Sequence, residues 1–126
     1  MDKIYRQENE HTINNILIVN EINDAIEALK RKETIARFEY GYSMLPMIDN
    51  GEYCIVRPIN SLDEVKVGDA VVCKVYGVPM THLVHAISDC GYNGKKYFLI
   101  GSTSFHLNGW TDEIFGIAKG TNIFEK

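Results

Sequence analysis

The spacing of apolar positions changes once along the chain. In NEINDAIEALKRK, residues 20 to 32, Ile22, Ile26 and Leu29 recur at three- and four-residue steps, the stripe of a short amphipathic helix. Asn20 stands where an N-cap belongs, and Lys30, Arg31 and Lys32 fall at the end that favours cations. After that the period drops to two. TIARFEY (34 to 40) and EYCIVRPI (52 to 59) predict strands, with Pro58 marking the end of the second. Gly68-Asp69 opens DAVVCKVYG, Gly77 turns the chain, and VPMTHLVHAI returns as the second arm of a hairpin. Gly91, Asn93 and Gly94 supply a turn before the strand KKYFLIG (95 to 101). EIFGIAKGTNIF (113 to 124) supplies one or two more strands, and the polar residues 1 to 15 are expected to be loose.

Short strands with glycine punctuation, preceded by one short N-terminal helix, predict a mainly β fold. The expected form is a coiled antiparallel sheet or a partly open barrel. The expected division is an N-terminal extension with the helix over 1 to 33 and one domain over 34 to 126. A chain of 126 residues supports one domain with a core. Its 45% apolar and 24% charged residues are the balance of a globular protein.

Charge and cysteine usage narrow the partners. The formal charge is -4, and Lys30, Arg31 and Lys32 form the one basic cluster, so no nucleic acid is expected as the main partner. Cys54, Cys73 and Cys90 show no CxxC spacing and leave an odd count. A disulfide framework or zinc knuckle is not expected, and a reducing cytoplasm fits. The longest apolar run near the start is ILIV, 16 to 19, far short of the ~20 residues that cross a bilayer. Neither a membrane anchor nor a signal peptide is expected, which implies a soluble, cytoplasmic protein.

The candidate chemistry lies in GYSMLPMIDNGEYCIV, residues 41 to 56. A serine in a glycine-led turn can simply bond its own backbone. It can also be a nucleophile held on a bend. The order of later features favours the second reading. Gly41-Tyr42-Ser43-Met44-Leu45-Pro46 is followed by Asn50-Gly51-Glu52, then by Gly68-Asp69, and then by Thr81-His82-Leu83-Val84 on the return strand of the hairpin.

This order resembles the serine-peptidase superfamily of signal peptidases and LexA-type self-cleaving repressors, over roughly residues 36 to 120. The family pattern is a Ser-Met-x-Pro turn, a Gly-Asp pair before a strand, and a Lys or His base on the next strand. The resemblance implies a LexA–signal peptidase type of fold, Ser43 as nucleophile and His82 as base, as in the Ser-His dyad type of signal peptidase. YFLIG (97 to 101) looks like the strand before the third family box.

The residue types suit that chemistry. A serine hydroxyl needs a base to take its proton, and histidine, with an unperturbed pKa of about 6.5, is mostly neutral at pH 7. Pro46 would fix the chain just after Ser43, the Ser43 N–H would face an oxyanion, and Met44 would line a groove for an extended peptide. His85, three positions from His82, should face the other way on a strand. Lys74 lies on the outgoing arm of the hairpin and reads as solvated. His82, His85, His106 and Cys90 match no zinc spacing, so neither a metal nor another cofactor is expected.

The third box departs from the family pattern. Ser102 stands where the first acid is expected, in Gly101-Ser102-Thr103-Ser104-Phe105-His106-Leu107-Asn108-Gly109-Trp110, and Asp112 lies just past the place of the later acid. Ser102, Ser104 or Asp112 would then support the base. No Ala-Gly or Cys-Gly pair of the self-cleaving kind precedes Ser43; the one Cys-Gly, Cys90-Gly91, follows it. Two functions follow. One is a serine endopeptidase that cleaves a protein or peptide substrate through an acyl-enzyme. The other is a peptidase-fold module, weak or inactive in catalysis, that binds a peptide or a regulatory partner. The oligomeric state stays open, a homodimer included.

Overall fold

The computed structural model describes residues 12–13, 15–41, 43–45 and 47–120. Among the described residues the protein is mainly β, with one α-helix and one antiparallel seven-stranded sheet that does not close. A short pair, β1 (Thr12–Ile13) and β2 (Ile16–Leu17), precedes the helix α1 (Ile22–Lys30). Then come β3 (Ile35–Glu39), β4 (Glu52–Pro58), β5 (Ala70–Val75), β6 (Val78–Ser88), β7 (Tyr97–Gly101), β8 (Leu107–Thr111) and β9 (Glu113–Gly120). The sheet order is β3-β4-β9-β5-β6-β7-β8. β8 runs through Asp112 into β9, so the ladder from β9 to β8 starts and ends on neighbouring residues. That path coils the sheet.

The helix starts one step later than its pattern predicts. Glu21 is the N-cap, and its carboxylate accepts from the Asp24 N–H at 2.8 Å. Asn20 instead accepts from the Phe38 N–H at 3.0 Å and ties the entry of the helix to β3. At the far end Lys32 adopts φ 67, and the N–H groups of Lys32 and Glu33 return to the carbonyls of Leu29 and Ala28. Those two bonds close the last turn as a Schellman motif.

The sheet is buried on both faces, as the run AVVC of β5 demands. Ala70 and Val72 join Ala25, Ile26, Ala28 and Leu29 of the helix, together with Ile35, Val56 and Ala118. Val71, Cys73 and Val75 point the other way, into a cluster with Val84, Phe98, Ile100 and Ile117. Full burial of one Leu or Phe side chain contributes roughly 1.5–3 kcal/mol, so the two clusters hold the sheet from opposite sides. The β5–β6 hairpin turns on Tyr76 and Gly77, both at positive φ (51 and 79). That is the two-residue turn whose twist matches its strands.

The strands expected at 34–40, 52–59 and 95–101 appear, each trimmed at its ends. EIFGIAKG forms a single strand, and residues 121 to 126 lie outside the described residues, as do residues 1 to 11. Among the described residues no helix is long and apolar enough to cross a membrane.

Candidate active site

Ser43 sits in the loop between β3 and β4, and that loop is pinned at several points. Gly41, at φ 100, donates its N–H to Asn50 Oδ1 at 2.7 Å. The Gly51 N–H donates to the Glu39 carbonyl at 2.6 Å. The Ile48 N–H reaches the Met44 carbonyl at 2.9 Å, and the side chains of Met44 and Ile48 are buried under the helix. Thr103 holds the loop from across the sheet. Its N–H donates to the Ser43 carbonyl at 2.8 Å, and its hydroxyl lies 3.1 Å from that carbonyl and 2.5 Å from that of Leu45. Ser43 itself is exposed.

His82 comes from β6, opposite Val71 of β5. Its Nε2 lies 3.1 Å from Ser43 Oγ, and its Nδ1 lies 2.7 Å from Asn108 Oδ1. An amide oxygen accepts, so Nδ1 carries the ring proton and Nε2 is left with its lone pair facing the serine hydroxyl. The three side chains therefore form a serine–histidine–asparagine relay, built from one loop and two strands.

Two local features bring Asn108 to the ring. The β7–β8 register pairs Ile100 with Gly109 and Gly101 with Leu107, so Asn108 is the extra residue of a bulge. Bulges re-aim a side chain. A Cβ on Gly101 would stand 2.8 Å from the His106 carbonyl and 2.9 Å from the Leu107 side chain, so the start of β8 can cross there only over a glycine. Gly109, at φ 137, has the Tyr76 ring 2.9 Å from where a Cβ would be. Only glycine fits that position as well.

The Gly68-Asp69 pair acts through its backbone. Gly68, at φ 96, donates to the Val84 carbonyl, and the Val84 N–H donates to the Asp69 carbonyl, both at 2.9 Å. The pair thus anchors β6 two residues from His82. Asp69 Oδ2 accepts from the Lys66 N–H at 2.8 Å, within the turn.

The expected supporters of the base lie elsewhere. Asp112 pairs with Lys95 Nζ at 2.6 Å, because the bend between β8 and β9 turns it outward. Ser102 and Ser104 bond each other at 3.0 Å, and Ser104 lies 3.3 Å from His106 Nδ1. Their hydroxyls close the β7–β8 loop and do not meet His82. Met44 does not line a groove; it is 5% exposed and belongs to the core. It supports the turn from beneath. Pro46 and Tyr42 lie outside the described residues.

His85 is kept from Ser43 by a bulge rather than by strict alternation. The β6–β7 register shifts between Val84 and Ala86, which leaves His85 unpaired. Its Nε2 lies 2.7 Å from the Ser102 carbonyl, and its ring tilts against Phe105. Lys74 pairs with Pro79, three positions along β5 from the partner of His82, about 10 Å away at ~3.3 Å per residue. Among the described residues no three His, Cys, Asp or Glu side chains cluster as a metal site would require.

A cleft of about 330 Å³ opens beside Ser43 and His82, with walls that include Asn20, Arg37, Glu39, Tyr40 and Thr81. Asn108 and Thr103 are the functional candidates that motif reading passed over. The Asn-Gly pair at 108–109 was the available signal, because Asn before a positive-φ glycine marks a local break in a ladder. Compared with known proteins, the chain matches no family model, no curated protein and no solved structure.

Proposed function

We propose that this chain is a serine endopeptidase of the signal-peptidase and LexA-like type, in which Ser43 attacks and His82 is the base. One observation carries the reading. An exposed serine on a pinned loop lies 3.1 Å from one ring nitrogen of a histidine 39 positions away, while the other ring nitrogen meets an amide oxygen at 2.7 Å. Nucleophile, base and orienting group in hydrogen-bond reach are the signature of activated serine chemistry. The resemblance of the Ser-Met-x-Pro turn, the Gly-Asp pair and the histidine strand supports a LexA–signal peptidase type of fold, and the coiled antiparallel sheet is compatible with it.

The chemistry follows from the geometry. Ser43 Oγ adds to a substrate carbonyl carbon as its proton passes to His82 Nε2. The carbonyl oxygen takes up the negative charge, and the Ser43 N–H, which has no acceptor among the described residues, would donate to it. Collapse of the tetrahedral adduct breaks the C–N bond, and the leaving amine takes the proton from His82. The product is an ester on Ser43. Water, deprotonated by His82, then adds to the ester carbonyl and releases the carboxylate and the serine hydroxyl. Asn108 keeps the imidazole in the tautomer that accepts at Nε2. As a neutral group it stabilises the imidazolium less than a carboxylate would.

That neutrality favours a second reading, a peptidase fold that binds peptide and turns it over slowly or not at all. A fluorophosphonate probe, which forms a covalent bond only with an activated serine, separates the two. The peptidase reading expects labelling of Ser43, abolished in His82→Ala with the fold intact. An unlabelled wild type favours the binding module.

A further inference from the structure

His85 occupies the bulge of β6, on the same strand as His82. Its Nε2 lies 2.7 Å from the Ser102 carbonyl oxygen. That oxygen can only accept, so Nε2 carries the ring proton and donates. The two histidines of one strand thus hold opposite tautomers.

Ser102 does not need that donor. Its carbonyl already accepts from the Phe105 N–H at 3.1 Å, its N–H donates to the His106 carbonyl at 3.0 Å, and its hydroxyl accepts from the His106 N–H at 3.1 Å. The turn between β7 and β8 is closed without His85. The imidazole instead grips one end of the peptide unit that joins Ser102 to Thr103. The other end of that unit is the Thr103 N–H, which donates to the Ser43 carbonyl at 2.8 Å. A peptide unit is planar and trans, so its C=O and N–H point in opposite directions. A donor that fixes the oxygen also fixes the direction of the N–H. It polarises the unit as well, which makes the N–H a stronger donor. Both effects fall on the backbone of Ser43.

Resting on the peptidase reading, we infer that His85 is a positioning residue, which holds Ser43 in line with His82 through the Ser102–Thr103 peptide unit. One strand then serves both reacting groups. It supplies the base from His82 and steadies the nucleophile loop from His85. Neither His85 nor Thr103 is part of the cleft wall, so the effect belongs to the rate of attack and not to binding.

The test uses the full chain as wild type, His85→Gln and His85→Phe. Gln loses the ring but keeps an N–H that can reach the Ser102 carbonyl. Phe keeps a ring against Phe105 and loses the donor. The first readout is fluorophosphonate labelling of Ser43 over a range of probe concentrations, which separates the limiting rate from half-saturation. In His85→Phe the limiting rate should fall about tenfold with half-saturation unchanged, since displacements of an ångström cost up to ~10²-fold. His85→Gln should restore most of the rate. The second readout is the NMR scalar coupling across the hydrogen bond between the Thr103 amide nitrogen and the Ser43 carbonyl carbon. It should be present in wild type and His85→Gln and weakened or lost in His85→Phe. Nitrogen NMR of the wild-type imidazole needs no substitution, and it should find the His85 proton on Nε2. A proton on Nδ1 alone overturns the inference. Equal loss of rate in the two variants overturns it too, because the ring and not the donor would then matter. An unchanged coupling in His85→Phe, or a weakened coupling with an unchanged limiting rate, does the same. Unlabelled Ser43 in wild type overturns the peptidase reading instead. The coupling then decides by itself whether His85 holds the Ser43 backbone: its loss in His85→Phe upholds that grip, and its persistence removes it.

Discussion

Asn108 Oδ1 lies 2.7 Å from His82 Nδ1, and it is the bulge in β8 that places it there. The relay thus ends in a neutral amide where serine peptidases commonly use an acid. On the proposed peptidase reading, the position of this residue sets the tautomer of His82 and the strength of His82 as a base.

Removal of either reacting group should abolish the chemistry and leave the fold. Ser43 is exposed and His82 is half-buried, and neither belongs to the two apolar clusters. Ser43→Ala and His82→Ala should each lower kcat/KM by roughly 10⁴-fold or more, and the double variant should lose little beyond either single one, because the groups act as a unit. The free energy of unfolding should change by about 1 kcal/mol or less, as for surface substitutions. Full activity in either single variant would sink the dyad.

Exchange of the orienting amide should change the pH profile as well as the rate. In Asn108→Asp a carboxylate faces the imidazolium that forms during attack, and an adjacent negative charge favours the charged form. The pH of half-maximal rate should move upward, and the plateau should rise by about tenfold. Asn108→Ala should fall by about 10- to 100-fold at every pH, since the ring loses its orientation. Superimposable rate–pH profiles for the three proteins would remove Asn108 from the relay.

The sheet was legible where its strands obey one rule at a time. AVVC of β5 and YFLIG of β7 are apolar runs between glycines, and they became central strands. β8 escaped because Leu107 and Trp110 are exposed and LNGWT carries no buried alternation until Thr111. Asn108 was invisible as a site residue for the same reason. Its direction depends on a register shift, and register is set by the partner strand rather than by local sequence. Arg37 shows the opposite failure. Alternation with Ile35 puts it on the inner face, yet a charge there reads as exposed until Glu39, Thr81 and Asn20 are seen around it. Ser43 and His82 were within reach of motif order because each sits where its own element's pattern places it.

The grip of Thr103 on the nucleophile loop should be measurable in stability and in rate together. Thr103→Val keeps the N–H bond to the Ser43 carbonyl and removes the hydroxyl contacts to Ser43 and Leu45. One hydroxyl proton, shared between two carbonyls that can only accept, predicts a loss of about 1 kcal/mol in urea unfolding. Looser placement of Ser43 should lower kcat about tenfold, since displacements of an ångström cost up to ~10²-fold. KM should change little, because Thr103 is no part of the cleft wall. A variant with lower stability and unchanged kcat would show that the clamp holds the fold and not the nucleophile.

Two buried thiols should make the protein sensitive to alkali. Cys54 and Cys73 are free and fully buried. Burial pushes both thiols from the ordinary 9.0 up to about 12, and for Cys54 the nearby Glu39 carboxylate adds to the rise. Between those values the folded chain keeps protons that the unfolded chain gives up. Stability is then complete below about pH 9 and falls as pH climbs toward 12. Each thiol should cost roughly 1.4 kcal/mol per pH unit across that window. Urea midpoints measured from pH 7 to pH 10.5 should stay level and then fall. Cys73→Ala should start from a lower midpoint, because it opens a cavity, but should decline less steeply above pH 9. Iodoacetamide at pH 8 should modify exposed Cys90 in the native protein and all three thiols in urea. An equal decline with pH in wild type and in Cys73→Ala would assign the alkaline loss to other groups.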